Sequence, residues 1–222
     1  MPNILLLNPN TNATTTQMMV DIAQACFPPG FTVTGITAQT GVPMIVNEAE
    51  MQAAVLEVER TWLRANADTS IATAWDGVII SAFGDPGIAR VRATAKVPVV
   101  GICESSLLDG AAGGRRFGVA TVTPALADLI QADIDRLQLG ALYTGIRLTE
   151  EEPRALAADP AKLLQTLTDA ARLCLEADGA DAVVIGGGPL GQAAIEIQRQ
   201  LDAPIIAPIP SAVRRLLKAL QS

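Results

Sequence analysis

The sequence contains no histidine and only three cysteines in 222 residues. Histidine is the commonest general base and a common metal ligand, so its absence removes Ser-His-Asp, Cys-His and His-zinc chemistry. The cysteines are odd in number and form no CxxC pair, which is typical of a reducing compartment rather than of a disulfide framework. We therefore expect a cytoplasmic protein that uses no metal.

Basic tracts, aromatic residues and long apolar runs are also scarce. The net charge is −7 and no basic tract occurs, which argues against nucleic acid as a partner, because its binding depends on cations placed on phosphates. No apolar run reaches the length of a membrane span. A small molecule remains the expected partner, and half of the residues are hydrophobic, enough to build a sizeable core.

What the chain does contain is a long internal repeat. Three apolar runs of the first half, each followed by a loop, recur in the second half at offsets of 113, 105 and 106 residues. The pairs are Ile4–Leu7 with Phe117–Ala120, Asp76–Ile80 with Asp181–Ile185, and Val97–Gly101 with Ala203–Ala207. A repeat this long indicates a duplicated domain. Two similar lobes predict one site in the cleft between them, built from both halves.

Continuous apolar runs are typical of parallel strands that are buried on both faces, and helical patterns separate them here. The sequence therefore predicts an α/β fold with two pseudo-symmetric lobes, each a mostly parallel sheet flanked by helices. The predicted N-terminal lobe comprises residues 1–98 and 205–222, and the C-terminal lobe comprises residues 99–204. We also expect the protein to form a homo-oligomer.

Three Xaa-Pro pairs predict helix starts, because each places a capping residue before a first-turn proline. They are Asp85-Pro86, Thr123-Pro124 and Asp159-Pro160. The stretch 147–159 is rich in glutamate and is the most loop-like part of the sequence.

Loops at the carboxyl ends of parallel strands are natural anion sites, because free N–H groups and helix dipoles both favour negative charge. Four loops have this placement and supply the candidate ligand-binding residues. These are Asn8, Asn10, Thr11 and Asn12; Ala82, Phe83 and Gly84; Thr121 and Thr123; and Gly186, Gly187 and Gly188. Thr11 or Asn12 also suits a plain helix cap, and a binding role and a capping role can coexist.

The run Gly186–Gly191 matches G-x-G-x-x-G, but we interpret it as a tight turn with exposed N–H groups. Only one strand remains after it, a proline lies inside it, and no acidic residue ends the next strand to hold a ribose. We therefore expect no dinucleotide, and no flavin or pyridoxal phosphate either.

Three residues could move protons. Cys103 and Glu104 follow a buried apolar run, where a helix N-terminus lowers the pKa of a thiol. A buried small residue followed by a first-turn glutamate is the simpler interpretation of that pair. Asp85 is either a catalytic carboxylate or a helix cap.

Several segments together resemble the aspartate/glutamate racemase superfamily, and within it the hydantoin and allantoin racemases. They are Asn8–Asn12, Phe83–Gly87, Val99–Ile102 with Glu104, and Arg116–Phe117 leading into Thr121–Thr123. The resemblance covers nearly the whole chain. It implies two α/β lobes with the substrate in the cleft and chemistry without a cofactor.

The resemblance also implies two cysteines, one in each lobe, that remove and deliver the α-proton on opposite faces of the substrate. Carried onto this sequence, these positions hold Ala82 and Gly187, and neither residue can move a proton. Three hypotheses therefore stay open. The chain is an isomerase or a lyase-type enzyme that forms an enolate from a small carboxylate, hydantoin or cyclic imide, or a silent homologue that binds the same ligand, or a scaffold.

Overall fold

A computed structural model describes residues 1–67 and 74–221 of the chain. Two compact units divide it. Unit 1 comprises Met1–Ile45, Ala49–Ile102 and Ile209–Ser222, and unit 2 comprises Val46–Glu48 and Cys103–Pro208.

Unit 1 contains a sheet of four parallel strands in the order β2-β1-β3-β4. The strands are β1 (Asn3–Asn8), β2 (Thr32–Thr37), β3 (Gly77–Ile80) and β4 (Val99–Gly101). The helices are α1 (Ala13–Cys26), α2 (Glu48–Ala67) and α3 (Ile88–Thr94), and α4 (Ile102–Gly110) follows β4 directly.

Unit 2 repeats this topology with a second parallel sheet, in the order β6-β5-β7-β8. Its strands are β5 (Phe117–Thr121), β6 (Tyr143–Leu148), β7 (Ala182–Ile185) and β8 (Ile205–Ile206). Its helices are α5 (Ala127–Arg136), α6 (Pro153–Ala157), α7 (Pro160–Glu176) and α8 (Gly191–Gln198), and α9 (Pro208–Leu220) ends the described chain. The predicted fold class, two repeated α/β lobes with parallel sheets, is confirmed.

Alternation along β1 builds the two faces of the sheet in unit 1. Ile4 and Leu6 pack with residues of α1 and with Leu216 of α9, whereas Leu5 and Leu7 pack against α2 and α3. All four are fully buried, because side chains alternate across a strand and helices cover both faces of a parallel sheet. Burying a leucine or isoleucine contributes roughly 1.5–3 kcal/mol, so this strand is a major source of stability for the unit.

The strand pairing divides the chain a few residues after the predicted boundaries of 98/99 and 204/205. β4 pairs with β3, so Val99 to Gly101 belong to unit 1, and β8 pairs with β7, so Ile205 and Ile206 belong to unit 2. The helix α9 lies in unit 1.

The three Xaa-Pro pairs behave differently. Asp159 caps α7 by accepting a hydrogen bond from the Lys162 N–H at 3.1 Å. Thr123 precedes a single 3₁₀ turn, Pro124–Leu126, and α5 begins only after it. The prediction for Asp85 was wrong, because α3 begins at Ile88 with the left-handed Gly87 at its N-cap. The stretch 147–159 holds the end of β6 and all of α6, so its prediction as a loop was wrong in part.

Candidate functional site

The loop after β1 is organised by its own asparagines. The Asn8 amide group donates to Asn10 Oδ1 and to Thr16 Oγ1, both at 2.9 Å, and Asn8 Oδ1 accepts from the Asn10 N–H at 3.2 Å. Thr16 in turn bonds Thr37 at the end of β2, at 2.7 Å. Asn8 is fully buried, and bonds satisfy its side chain at both ends. These bonds hold the loop in place, and the binding role of Asn8 stays a prediction.

The remaining polar groups of this loop belong to Asn10, Thr11 and Asn12. Asn12 Oδ1 caps α1 by accepting from the Thr15 N–H, and the Thr11 N–H donates to the Val42 carbonyl. Asn10 Oδ1 accepts from the Asn12 N–H at 2.9 Å, which fixes the orientation of the Asn10 amide. Within residues 1–67 and 74–221, the Asn10 NH₂ group finds no acceptor. It is the part of this loop best suited to a ligand.

The loop after β3 presents three consecutive backbone donors. The Ser81 N–H and hydroxyl both donate to the Leu7 carbonyl, which ties the start of the loop to β1. The N–H groups of Ala82, Phe83 and Gly84 donate to no residue in the described part of the chain. Gly84 has a φ of 107°, which turns the backbone at this point. Successive N–H groups without partners form an anion-binding concavity.

Asp85 lies at the end of that loop and is almost fully buried. Its φ is 47°, unusual for a residue with a side chain. A β-carbon built on Gly101 would lie 2.0 Å from Asp85 Cγ and 2.3 Å from both carboxylate oxygens. The carboxylate therefore sits directly over the last residue of β4, at the start of α4, where helix N–H groups favour negative charge. This placement indicates a structural role.

In unit 2, threonine hydroxyls occupy the corresponding strand ends. Thr121 Oγ1 donates to the Gly186 carbonyl at 2.6 Å, and the Thr121 and Thr123 hydroxyls lie 3.2 Å apart. Gly187 adopts an extended conformation before the 3₁₀ turn Gly188–Leu190. The strand pairing thus brings four predicted residues, Thr121, Thr123, Gly186 and Gly187, to one edge of the sheet.

Cys103 is fully buried, and its thiol donates to Asp133 Oδ2 at 3.5 Å. Asp133 lies on α5, and its other oxygen forms a salt bridge with Arg136. Glu104 is 3% exposed beside it in the first turn of α4. Asp133 did not stand out in the sequence, since it belongs to an ordinary amphipathic helix.

Cys174 has no part in proton transfer near neutral pH. Burial, and to a lesser extent the neighbouring Asp178, raises its pKa to about 12. Its thiol donates to the Val119 carbonyl at 3.6 Å, in the core of unit 2. Cys26 is exposed, and its pKa is raised by partial burial.

A pocket of about 230 Å³ opens beside Pro9 in unit 1. Its lining is mainly apolar, with two glutamates. The lining residues are Pro9, Gly41, Val42, Ile45, Ala49, Glu50, Ala53, Ala54 and Glu57. Glu57 forms a salt bridge with Arg60 at 2.7 Å. The pocket therefore adjoins the loop that carries the available Asn10 amide.

Residues 4–216 match the family model for Asp/Glu/Hydantoin racemase. The chain belongs to this family. It is 25% identical to the hydantoin racemase of Paenarthrobacter aurescens over 95% of this chain and 88% of that protein. The predicted resemblance to the superfamily is thereby confirmed.

Solved structures of similar proteins share the fold. The allantoin racemase from Klebsiella pneumoniae superposes with a TM-score of 0.90 at 24% identity, covering 100% of this chain and 88% of that one. Unliganded arylmalonate decarboxylase superposes with a TM-score of 0.64 at 18% identity, over 99% of this chain and 93% of that one. At these identities the likeness establishes the fold alone. In the described part of the chain, no helix is both long and apolar enough to cross a membrane.

Proposed function

We propose that this racemase-family protein binds a small cyclic imide or carboxylate and promotes a reaction through an enolate-type intermediate, without a cofactor. The unpaired N–H groups of Ala82, Phe83 and Gly84 carry the proposal. Donors held in place before the reaction stabilise the negative charge that develops on a carbonyl oxygen when the α-carbon loses a proton or a carboxylate. The Asn10 NH₂ group supplies a further donor at the neighbouring strand end.

The substituent of the ligand decides between two substrate types. The pocket beside Pro9 is built from proline, valine, isoleucine and alanine side chains, with its two carboxylates as polar groups. A hydrocarbon substituent fits this lining better than the ureido group of allantoin, which would bury polar atoms against apolar walls. We therefore propose 5-alkyl or 5-arylalkyl hydantoins as the preferred ligands.

Proton transfer must use groups other than those the family resemblance implies. Ala82 and Gly187 occupy the two implied cysteine positions and have no titratable side chain. Of the remaining candidates, Cys103 has a hydrogen-bonded carboxylate acceptor, Asp133, as an acid–base pair requires. Asp85 is placed for a structural role, and Glu104 is the alternative to Cys103.

A second candidate function is ligand binding without turnover. One observation favours it: Cys103, Glu104 and Asp85 are exposed by only 0%, 3% and 4%. Buried groups of this kind reach a substrate only if the surrounding chain moves.

A decarboxylase-type or lyase-type reaction is a variant of the main proposal. It needs the same stabilisation of an enolate but no proton abstraction in its first step. It therefore requires the smallest catalytic contribution from Cys103, Glu104 and Asp85.

Isotope exchange separates these functions. The first prediction is that racemic 5-isobutylhydantoin binds and that its α-proton exchanges in D₂O slowly, but faster than in buffer alone, as followed by NMR. Binding with exchange no faster than in buffer would support the second candidate function instead. Positioned acid–base catalysis supplies about 10²–10⁴-fold per group, so two missing thiols leave little turnover. Fast exchange would contradict the missing-thiol argument. Cys103→Ser and Glu104→Gln then identify the base, with Cys174→Ser as the buried-thiol control.

A gain-of-function pair tests the implied positions directly. The double variant Ala82→Cys, Gly187→Cys should create exchange activity. A β-carbon at Gly187 would lie 3.0 Å from the Leu190 side chain, so a small shift of that leucine admits the substitution. A folded double variant that binds the hydantoin but exchanges no proton would overturn the assignment of these two positions.

A further inference from the structure

One hydroxyl group in unit 2 is buried without a use in the fold. Thr149, the residue after β6, is 7% exposed, and its Oγ1 has no hydrogen-bond partner in the described part of the chain. A buried polar group without a hydrogen-bond partner destabilises the fold. Such a group is retained most readily where a ligand completes its hydrogen bonding.

The backbone places Thr149 at the carboxyl edge of the sheet. Its N–H donates to the Thr121 carbonyl at 3.2 Å, one residue beyond the last pair of strand residues, Thr121 with Leu148. It therefore lies next to the strand end that carries the Thr121 and Thr123 hydroxyls. The proton of Thr121 is used on the Gly186 carbonyl, so Thr123 donates to Thr121 and a donor for a ligand must come from elsewhere.

The internal repeat shows that the fold does not need this hydroxyl. In unit 1 the residue at the same place is Ala38, whose N–H donates to the Asn8 carbonyl at 2.9 Å in the same way. Ala38 is 4% exposed and packs at the corresponding edge of its sheet. Because alanine suffices in one copy of the motif, the hydroxyl in the other copy is not needed for the fold and is available for another purpose.

We propose that the Thr149 hydroxyl is a ligand-binding group that donates to a carbonyl or carboxylate oxygen of the bound molecule. This inference rests on the proposed function, since it assigns one more contact to the same ligand class. Thr149 falls in the stretch 147–159 that the sequence predicts as a loop, and only the buried position revealed by the fold distinguishes it.

The same strand offers a matched control. Thr144, in the amino-terminal part of β6, also has a buried hydroxyl without a partner among the described residues, close to Cys174 and Gly118. Replacing either threonine by valine removes an unsatisfied hydroxyl and changes little in shape. Both variants should therefore keep or raise the melting temperature of the protein without ligand, which verifies that they fold.

The binding of 5-isobutylhydantoin, measured by calorimetry, then tests the role of the Thr149 hydroxyl. The proteins to compare are the wild type, Thr149→Val, Thr149→Ser and Thr144→Val. We expect Kd to rise about tenfold for Thr149→Val, the loss of one hydrogen bond, and to stay within about twofold for the other two. An unchanged Kd for Thr149→Val, or an equal rise for Thr144→Val, overturns the inference and leaves the proposed function intact. A wild type that binds no 5-substituted hydantoin overturns both.

Discussion

Asn8 and Thr121 end equivalent strands of the two repeated units, yet their surroundings differ. Asn8 closes a network in which its amide bonds Asn10 and Thr16, and its carbonyl oxygen accepts from backbone. Thr121 uses its one hydroxyl on the Gly186 carbonyl, and Thr149 beside it keeps an unused one. Duplication conserved the backbone pattern while the polar side chains diverged.

The two repeated units therefore differ in which polar groups stabilise the strand ends and which are left for a ligand. In unit 1, side chains stabilise the loop, so ligand-binding capacity rests on backbone N–H groups and on the Asn10 amide. In unit 2, the hydroxyls of Thr121 and Thr123 are used at the turn that begins at Gly186, and that of Thr149 is left without a partner among the described residues. The groups left for a ligand are thus backbone N–H groups and one amide in unit 1, and one hydroxyl in unit 2.

Gly101→Ala should give the largest effect on stability. The equivalent strand end in unit 2 is Ala207, which tolerates a β-carbon, whereas a β-carbon at Gly101 collides with the buried Asp85 carboxylate at 2.0 Å. Overpacking of this kind costs about 1–3 kcal/mol, and we expect the upper end in urea unfolding. Adding Asp85→Gly should restore most of the loss, because it removes the collision and suits the positive φ. A double variant no more stable than Gly101→Ala would show that the collision is not the cause.

Asn8→Ala should come next, and it tests the contrast at the paired strand ends. The substitution leaves the Asn10 N–H without its partner and removes the bonds from the Asn8 amide to Asn10 Oδ1 and Thr16 Oγ1. An unsatisfied buried group costs about 1–3 kcal/mol. Thr121→Val removes two hydrogen bonds, to the Gly186 carbonyl and from the Thr123 hydroxyl, against the three described for Asn8, so its cost should be smaller. Urea unfolding of both variants gives the two losses of stability. A larger loss for Thr121→Val would contradict the conclusion that side chains stabilise the strand end more in unit 1 than in unit 2.

The smallest expected effect on stability concerns the equivalent edge strands β2 and β6. β2 holds Ile36 against the apolar core, whereas β6 holds Arg147, which forms a two-pronged ion pair with Asp178 at 2.8 and 2.5 Å. The Arg147 guanidinium lowers the pKa of Asp178 below its ordinary 3.8. The stabilisation is therefore complete above that value and lost as the pH falls through the lowered pKa.

Asp178→Asn should accordingly reduce stability slightly at pH 7, and this loss should shrink as the pH falls below 3.8 and through the lowered pKa of Asp178. Urea midpoints of wild type and variant across this range provide the measurement. Ile36→Val serves as the control in unit 1, since its small loss should not vary with pH. A gap between wild type and Asp178→Asn that persists in acid would assign the effect to packing.

The internal repeat made the architecture predictable. The hydrogen bonds between side chains at the strand ends could not be predicted from it. Continuous apolar runs identified β1, β3, β5 and β7, because such strands are buried on both faces. β2 and β6 carry threonine, glycine and arginine at edge positions, so their sequences lack that signal. Thr11 or Asn12 was predicted as a cap, and Asn12 is one. Asp85 was also predicted as a cap and is not, because its carboxylate is held over Gly101 of a neighbouring strand. Contacts across strands of this kind have no trace in local sequence.

The terminal helix sets the order in which the chain can fold. α9 supplies Ile209, Ala212, Val213 and Leu216 to the core of unit 1, and Leu216 packs against Gly77 at the start of β3. During synthesis, one face of the unit 1 sheet is therefore covered only in part, by α1, until α9 has left the ribosome. All four strands of unit 2 have been made by then. The half of the molecule that is translated second is the half that can close first.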